Sequence, residues 1–196
     1  MTALNESKPV GSSFADPGAL GLGAFALTTF VLSMANAHIV PGGFGTVLGL
    51  ALFYGGATQL VAGVWEFAKG NTFGATAFCS YGAFWMAAWY LLTVPSKADT
   101  AAGVGVFMLA WAIFTLYMTF AAVKTNLVIL LVFIFLTLTY IALSIGYFSG
   151  NADGTGFLQI GGFLGLITAI LAWYGSFATV INATWKRVVL PVRPAN

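Results

Sequence analysis

Charged residues are so rare in this sequence that the uncharged stretches between them constrain the fold more than any motif does. The first stretch runs from Pro17 to Trp65, and others cover residues 70–96, 100–123, 125–152 and 154–185. A helix needs about 20 predominantly apolar residues to cross a bilayer. The first stretch is long enough for two such helices, with a break at Pro41-Gly42-Gly43, and each of the others is long enough for one. The spacing of the charges therefore predicts six membrane spans.

The composition of these stretches favours helices over a β-barrel. The chain is 60% hydrophobic and 6% charged, whereas about a quarter of an ordinary soluble domain is charged, so membrane lipid is its expected solvent. The alternation of apolar and polar residues that marks barrel strands is absent. We therefore predict an all-α membrane protein with six transmembrane helices near residues 20–37, 45–65, 73–94, 101–123, 127–148 and 157–183. They form one domain over residues 17–185, with tails at 1–16 and 186–196.

The basic residues predict the orientation of the helices. Short loops and tails on the cytoplasmic side of a membrane carry an excess of lysine and arginine. With six spans, Lys97 stands alone on one side, and the other side holds Lys8, Lys69, Lys124, Lys186, Arg187 and Arg193. This asymmetry places both termini in the cytoplasm and predicts a multi-pass protein of the cell membrane.

The set of reactive side chains argues against an enzyme. The chain has one cysteine, Cys79, and one histidine, His38, so no pair is available for a disulfide or a thiolate metal site, and we expect no metal and no cofactor. Serine, histidine and acid do not combine into a nucleophilic set, and no phosphate-binding loop occurs. The seven basic residues are scattered, which argues against nucleic acid as a partner.

Polar side chains in and between the predicted helices point instead to a permeation path. Glu66 ends the second helix and precedes the turn GNTFG at residues 70–74, where Asn71 and Thr72 offer an amide and a hydroxyl near a helix N-terminus. Glu66 either pairs with Lys69 or handles a proton or substrate at the inner mouth. A path lined by neutral donors can stabilise a small anion without a fixed cation that would trap it. These donors are Gln59, Asn71, Thr72, Thr76, Ser80, Tyr81, Thr137, Thr139, Tyr140, Ser144 and Asn182.

Longer motifs resemble one family of membrane proteins. Residues 16–22, DPGALGL, resemble the NPAPLGL signature that opens the first helix of the acetate uptake transporter family, also called the succinate–acetate permease or GPR1/FUN34/YaaH family. FYGG at 53–56, with Gln59, Glu66 and the block GNTFG-x-TAF-x-SYG-x-FW at 70–85, is similar to its second and third helices. FTL at 114–116 matches its fourth. The signature's first Asn is Asp16 here, and its second Pro is Ala19.

The resemblance implies a six-helix protomer assembled as a homo-hexamer, in which each protomer has its own path for acetate and, in some members, succinate. The 24 glycines, many of them within the spans, agree with a compact bundle or a tightly packed oligomer. By alignment, the family's hydrophobic constriction becomes Phe25, Tyr81 and Leu136, and a small residue that tunes substrate size becomes Ala172. The other predicted path residues are Leu20, Gln59, Glu66, Asn71 and Thr72.

The leading hypothesis is therefore membrane transport of acetate and related small carboxylates. Asn71, Thr72 and nearby helix N-termini would attract the carboxylate, and the constriction would admit its short apolar tail. The resemblance implies proton-coupled transport, because members of the family are usually described in this way. A passive anion channel is the alternative, and the scarcity of acids within the spans favours this simpler path. The less favoured alternative is a membrane sensor that binds a carboxylate without translocating it.

Overall fold

The computed structural model describes residues 14–40, 42–94, 101–150 and 154–194, and the chain forms six helices within them. These are α1 (Gly18–Asn36), α2 (Phe44–Lys69), α3 (Thr72–Thr93), α4 (Ala101–Ala122), α5 (Leu127–Phe148) and α6 (Phe157–Trp185). Five of them are long and apolar enough to cross a membrane. The remaining helix, α3, has 22 uncharged residues, but Thr, Ser, Tyr and Gly interrupt its apolar side chains. The predicted all-helical fold of a multi-pass membrane protein is confirmed.

Some positions used in the sequence analysis fall outside the described residues. They are most of the predicted N-terminal tail with Lys8, the break residue Pro41, and the predicted outer cation Lys97.

The helices follow one another around the bundle. α2 packs against α1 and α3, α1 packs extensively against α6, α6 against α5, and α5 against α4. The backbones of α3 and α4 approach each other less, and aromatic side chains fill the gap between them. The ring centroids of Phe84 and Phe107 lie 5.7 Å apart, and those of Tyr81 and Trp111 lie 5.9 Å apart. Tyr140 of α5 joins these rings, with its centroid 5.3 Å from that of Phe84, so aromatic side chains from α3, α4 and α5 pack together inside the bundle.

Glycines allow the closest approaches between helices. Gly162 of α6 lies against the end of α1, where an added Cβ atom would overlap the backbone nitrogen of Ala37. Gly63 of α2 lies against α3 in the same way, with an added Cβ atom 2.5 Å from the backbone nitrogen of Cys79. Small residues let helix backbones pack closely in lipid, where the hydrophobic effect does not drive helices together. These two glycines therefore permit the tight α1–α6 and α2–α3 contacts.

The middle of α2 departs from regular α-helix geometry. Residues Leu50–Thr58 form a π-helix between two α-helical segments, Phe44–Gly49 and Gln59–Lys69. Thr58 Oγ1 donates a hydrogen bond to the carbonyl oxygen of Phe53, five residues earlier, at 2.9 Å. A π segment changes the rotation between the parts of a helix on either side of it. The sequence analysis predicted one regular helix here. Because Gln59 directly follows the π segment, the wider turns of that segment decide which face of α2 carries Gln59.

The residues after α6 fold back against the bundle. The Asn182 side chain accepts hydrogen bonds from the N–H groups of Val189 and Leu190 at 2.7 and 3.0 Å. The N–H of Leu127 then donates to the carbonyl oxygen of Arg193 at 2.8 Å. The predicted C-terminal tail is thus attached, along its described part, to the beginning of α5.

Candidate functional site

One end of the bundle contains a cavity of about 210 Å³, formed by the beginnings of α1, α3 and α5 and the second half of α2. Polar side chains line the part near the helix ends: Asp16, Glu66, Lys69, Asn71, Thr125, Asn126 and Thr179. Apolar side chains and Tyr81 line the deeper part: Leu22, Phe25, Phe78, Tyr81, Val132, Phe133 and Leu136. Phe25 lies seven residues beyond Gly18, the first residue of α1, or about 10 Å along the axis. The cavity therefore leads from a polar mouth to an apolar inner end.

Phe25, Tyr81 and Leu136, the predicted constriction residues, meet at this inner end. Each comes from a different helix, and all three side chains are at least nine-tenths buried. The ring centroids of Phe25 and Tyr81 lie 5.8 Å apart, with their planes tilted by 52°. The fold thus brings together residues that are far apart in the sequence.

Tyr81 is oriented by a partner that the sequence analysis did not include among the site residues. Its hydroxyl oxygen lies 2.9 Å from Thr115 Oγ1 on α4. Because Thr115 Oγ1 donates its own proton to the carbonyl oxygen of Trp111 at 2.7 Å, the Tyr81 hydroxyl donates to Thr115. The hydroxyl is therefore engaged by α4, and the aromatic ring forms the cavity wall. Thr115 lies in the FTL motif, but only the fold shows which side chain it contacts.

Gln59 places an unpaired amide in the cavity wall. Its side chain is fully buried, and neither Nε2 nor Oε1 has a hydrogen-bond partner within the described residues. It is the first residue after the π segment, whose geometry sets the direction of its side chain. An unsatisfied buried polar group costs about 1–3 kcal/mol. A buried amide without a partner in the cavity wall is therefore a candidate contact for a ligand.

Glu66 and Asn71 form a hydrogen-bonded pair at the mouth. Glu66 is buried, and its Oε2 accepts a hydrogen bond from Asn71 Nδ2 at 2.8 Å. Asn71 Oδ1 accepts the N–H of Gly74 at 3.1 Å and so caps the beginning of α3. One side chain thus starts α3 and holds the Glu66 carboxyl group. Lys69 pairs with Asp16, with 2.9 Å between Nζ and Oδ1, so the pairing of Lys69 with Glu66 considered above is replaced by a different ion pair.

Three of the predicted path residues do not line the cavity. Leu20 is 43% exposed, because its position on α1 faces away from Phe25. Thr72 is exposed beside Asn71, since the asparagine and not the threonine occupies the capping position. Ala172 of α6 is fully buried and belongs to the hydrophobic core.

Several of the neutral donors noted in the sequence form hydrogen bonds within their own helix or to a neighbouring helix. Thr137 Oγ1 donates to the carbonyl oxygen of Phe133 within α5 at 2.8 Å. Ser144 Oγ donates to the carbonyl oxygen of Gly105 at 3.0 Å and so joins α5 to α4. Of the eleven donors in that set, only Gln59, Asn71 and Tyr81 line the cavity. A hydroxyl in a helix has a carbonyl oxygen of the preceding turn within reach, which explains why so few remain available.

A bundle of apolar helices around a cavity with a polar mouth and an apolar inner end defines a multi-pass membrane protein with a candidate site for a small molecule. The model of the GPR1/FUN34/YaaH family matches residues 3–195, and the chain belongs to this family.

Similar proteins include transporters and a channel. The chain is 40% identical over 197 residues to acetate permease A of Emericella nidulans, and the match covers 91% of this chain. The chain spans 66% of the length of that relative, and also 66% of the length of two relatives from Saccharomyces cerevisiae. It is 38% identical over 185 residues to the succinate-acetate/proton symporter SatP of Escherichia coli strain K12, covering 92% of this chain and 96% of that protein. The solved structure of the bacterial acetate channel SatP has a TM-score of 0.86 at 38% identity and covers 92% of this chain and 99% of that one. Family members are transporters or channels, not enzymes.

Proposed function

We propose that the chain moves acetate and related small carboxylates across the cell membrane through the cavity and the constriction of Phe25, Tyr81 and Leu136. The observation that carries this proposal is the cavity itself, which joins a polar mouth to an apolar inner end inside a membrane bundle. The names of the relatives, an acetate permease and a succinate-acetate symporter, support acetate as the substrate and succinate as a second one.

The mouth contains groups suited to a carboxylate. Asn71 caps α3, and Asn126 caps α5 by accepting the N–H of Ile129 at 3.0 Å, so two helix N-termini with their partial positive charge reach the cavity. The unpaired Gln59 amide lies seven residues from Glu66 on α2, or about 10 Å deeper. A carboxylate in the cavity therefore has two polar contacts, the Gln59 amide in the deeper part and the helix N-termini near the mouth. This path does not require Leu20, Thr72 or Ala172.

The apolar constriction favours passage of the neutral acid. An ionised carboxylate loses its hydration there, at a cost of several kcal/mol, whereas a protonated carboxyl group loses far less. Acetic acid that has crossed the constriction passes its proton to the Glu66 carboxylate and leaves as acetate, and Glu66 then releases the proton at the mouth. The hydrogen bond from Asn71 stabilises the ionised form of Glu66 during this exchange. One proton thus moves with each acetate, which makes the protein a symporter.

A passive acetate channel is the second candidate. It is favoured by the absence of carboxylate and basic side chains among the three constriction residues, and by the solved structure of a relative described as an acetate channel. Such a channel conducts the anion, so its flux follows the membrane potential and not the pH gradient.

Labelled acetate uptake into liposomes that contain only the purified protein separates these functions. A symporter takes up more acetate when the outside is acidified, after subtraction of uptake by protein-free liposomes, and Glu66→Gln loses this response. Flux that ignores the pH gradient but follows an imposed potential identifies a channel. Specific carboxylate binding without flux identifies the sensor.

The proposal extends to the orientation of the protein in the membrane and to its assembly. Lys69, Lys124 and Lys186 lie at the helix ends that surround the mouth, and this excess of basic residues supports a cytoplasmic position of the mouth and of both termini, with all six helices crossing the membrane. Apolar side chains such as Phe120 (73% exposed) face outward and are covered by lipid or by neighbouring protomers of a homo-hexamer. Protease accessibility of tagged termini and the mass of the protein in nanodiscs test these two statements.

A further inference from the structure

The mouth of the cavity carries an ion pair between two helix ends. Asp16 precedes α1, and Lys69 is the last residue of α2. Their side chains are 46% and 30% exposed, both line the cavity, and Lys69 Nζ lies 2.9 Å from Asp16 Oδ1. The same oxygen accepts the N–H of Gly18 at 2.9 Å, which holds the Asp16 carboxylate in place at the beginning of α1.

Lys69 is the one cationic side chain among the cavity-lining residues in the part of the chain that the structure describes, and it shares the cavity with two acids, Asp16 and Glu66. Glu66 already accepts a hydrogen bond from Asn71. Asp16 therefore decides whether the charge of Lys69 is neutralised or is available to an entering anion.

We propose that Asp16, by neutralising Lys69, keeps the mouth selective for monocarboxylates over dicarboxylates. This inference rests on the proposed carboxylate transport. Because Asp16 forms an ion pair with Lys69, the lysine does not trap an anion. The negative charge of Asp16 also repels a dicarboxylate, which carries two negative charges, more strongly than a monocarboxylate, which carries one.

The size of the effect follows from Coulomb's law. When Asp16 is made neutral, the charge of the mouth rises by one unit, whatever the ionisation state of Glu66. We take the second charge of a dicarboxylate to lie roughly 8 Å from the changed residue, with an effective dielectric constant between that of a protein surface and that of water. The added interaction then corresponds to about a two- to sixfold change in the binding of the dicarboxylate. Salt screens partly exposed charges, so the change is smaller at high ionic strength.

The test is competition against labelled acetate uptake into proteoliposomes at neutral pH, where propionate and succinate are both ionised. The measured quantity is the half-inhibitory concentration of unlabelled succinate divided by that of unlabelled propionate. Asp16→Asn should lower this ratio about two- to sixfold, and Lys69→Gln should raise it by a similar factor. The double variant removes both charges and should return close to the wild-type ratio, whereas Asp16→Glu keeps the charge and serves as the matched control.

The outcomes separate this inference from the proposed function. If the wild-type protein shows no acetate uptake above protein-free liposomes, the proposed function fails and the selectivity of the mouth fails with it. If acetate uptake is present but the ratio is unchanged in Asp16→Asn, changes equally in Asp16→Glu, or moves in the same direction in Lys69→Gln, the charge selectivity alone is overturned. If succinate does not inhibit acetate uptake by any variant at any concentration, the charge selectivity is likewise overturned.

Discussion

Replacing Gln59 by leucine removes an amide that has no partner among the residues described by the structure, and keeps a side chain of similar size. If the amide serves a ligand and not the fold, the variant should be more stable and less active. An unsatisfied buried polar group costs about 1–3 kcal/mol, so Gln59→Leu should raise the free energy of unfolding by about 1 kcal/mol or more. A hydrogen bond to a charged group contributes about 1.5–3 kcal/mol, so acetate uptake should fall about tenfold or more.

Gln159 provides the matched control. Its Nε2 donates to the carbonyl oxygen of Ala37 at 3.2 Å and joins α6 to α1 away from the cavity. Gln159→Leu should therefore lower the free energy of unfolding by about 1 kcal/mol and leave acetate uptake per folded protein unchanged. Unfolding is followed by tryptophan fluorescence in mixed micelles, and uptake is followed with labelled acetate in proteoliposomes.

The two variants give opposite patterns if the reasoning is right. A loss of stability in Gln59→Leu equal to that in Gln159→Leu would show that Gln59 has a structural partner. Unchanged uptake in a more stable Gln59→Leu would show that the carboxylate does not use this amide. Either result refutes the role assigned to the unpaired side chain.

Leu136→Ala should widen the constriction and let a larger acid such as lactate compete with acetate in proteoliposome uptake; selectivity equal to that of the wild type would count against the constriction. Asn71→Ala removes the cap that accepts the N–H of Gly74 and should cost about 1 kcal/mol of stability, with an altered response of uptake to the pH gradient because Glu66 loses its donor. A capping role alone would leave that response unchanged. Gly162→Ala forces α6 away from α1 and should lower the unfolding free energy by about 1–3 kcal/mol, and an equally stable variant would contradict the close approach.

The helices could be read from the sequence because lipid leaves the backbone few alternatives. An uncharged stretch of about 20 residues in hydrocarbon must satisfy its own backbone hydrogen bonds, and a helix does this locally. Predicted and observed helices therefore agree closely, as for α5, where both run from residue 127 to 148. Asn71 was recognised in the same way, because capping depends on a few neighbouring residues. The π segment of α2 was missed, since its extra residue per turn depends on how the helix packs.

The residues of the candidate site could be predicted from the sequence only in part. Alignment with the family placed Phe25, Tyr81 and Leu136 at a constriction, and the fold brings all three to one cavity. The motifs also named Leu20 and Thr72, which are exposed outside that cavity, because a residue's helix face and depth are not visible in a motif.

The sequence by itself determined that the chain is a helical membrane protein, roughly where its helices begin and end, and which residues belong to family motifs, since these properties depend on local composition and order. Only the tertiary structure decided that Lys69 pairs with Asp16, that Thr115 holds the Tyr81 hydroxyl, and that the Gln59 amide has no partner within the described parts of the chain. These partners are set by the rotation and packing of helices against one another, and many rotations satisfy the same apolar sequence in lipid.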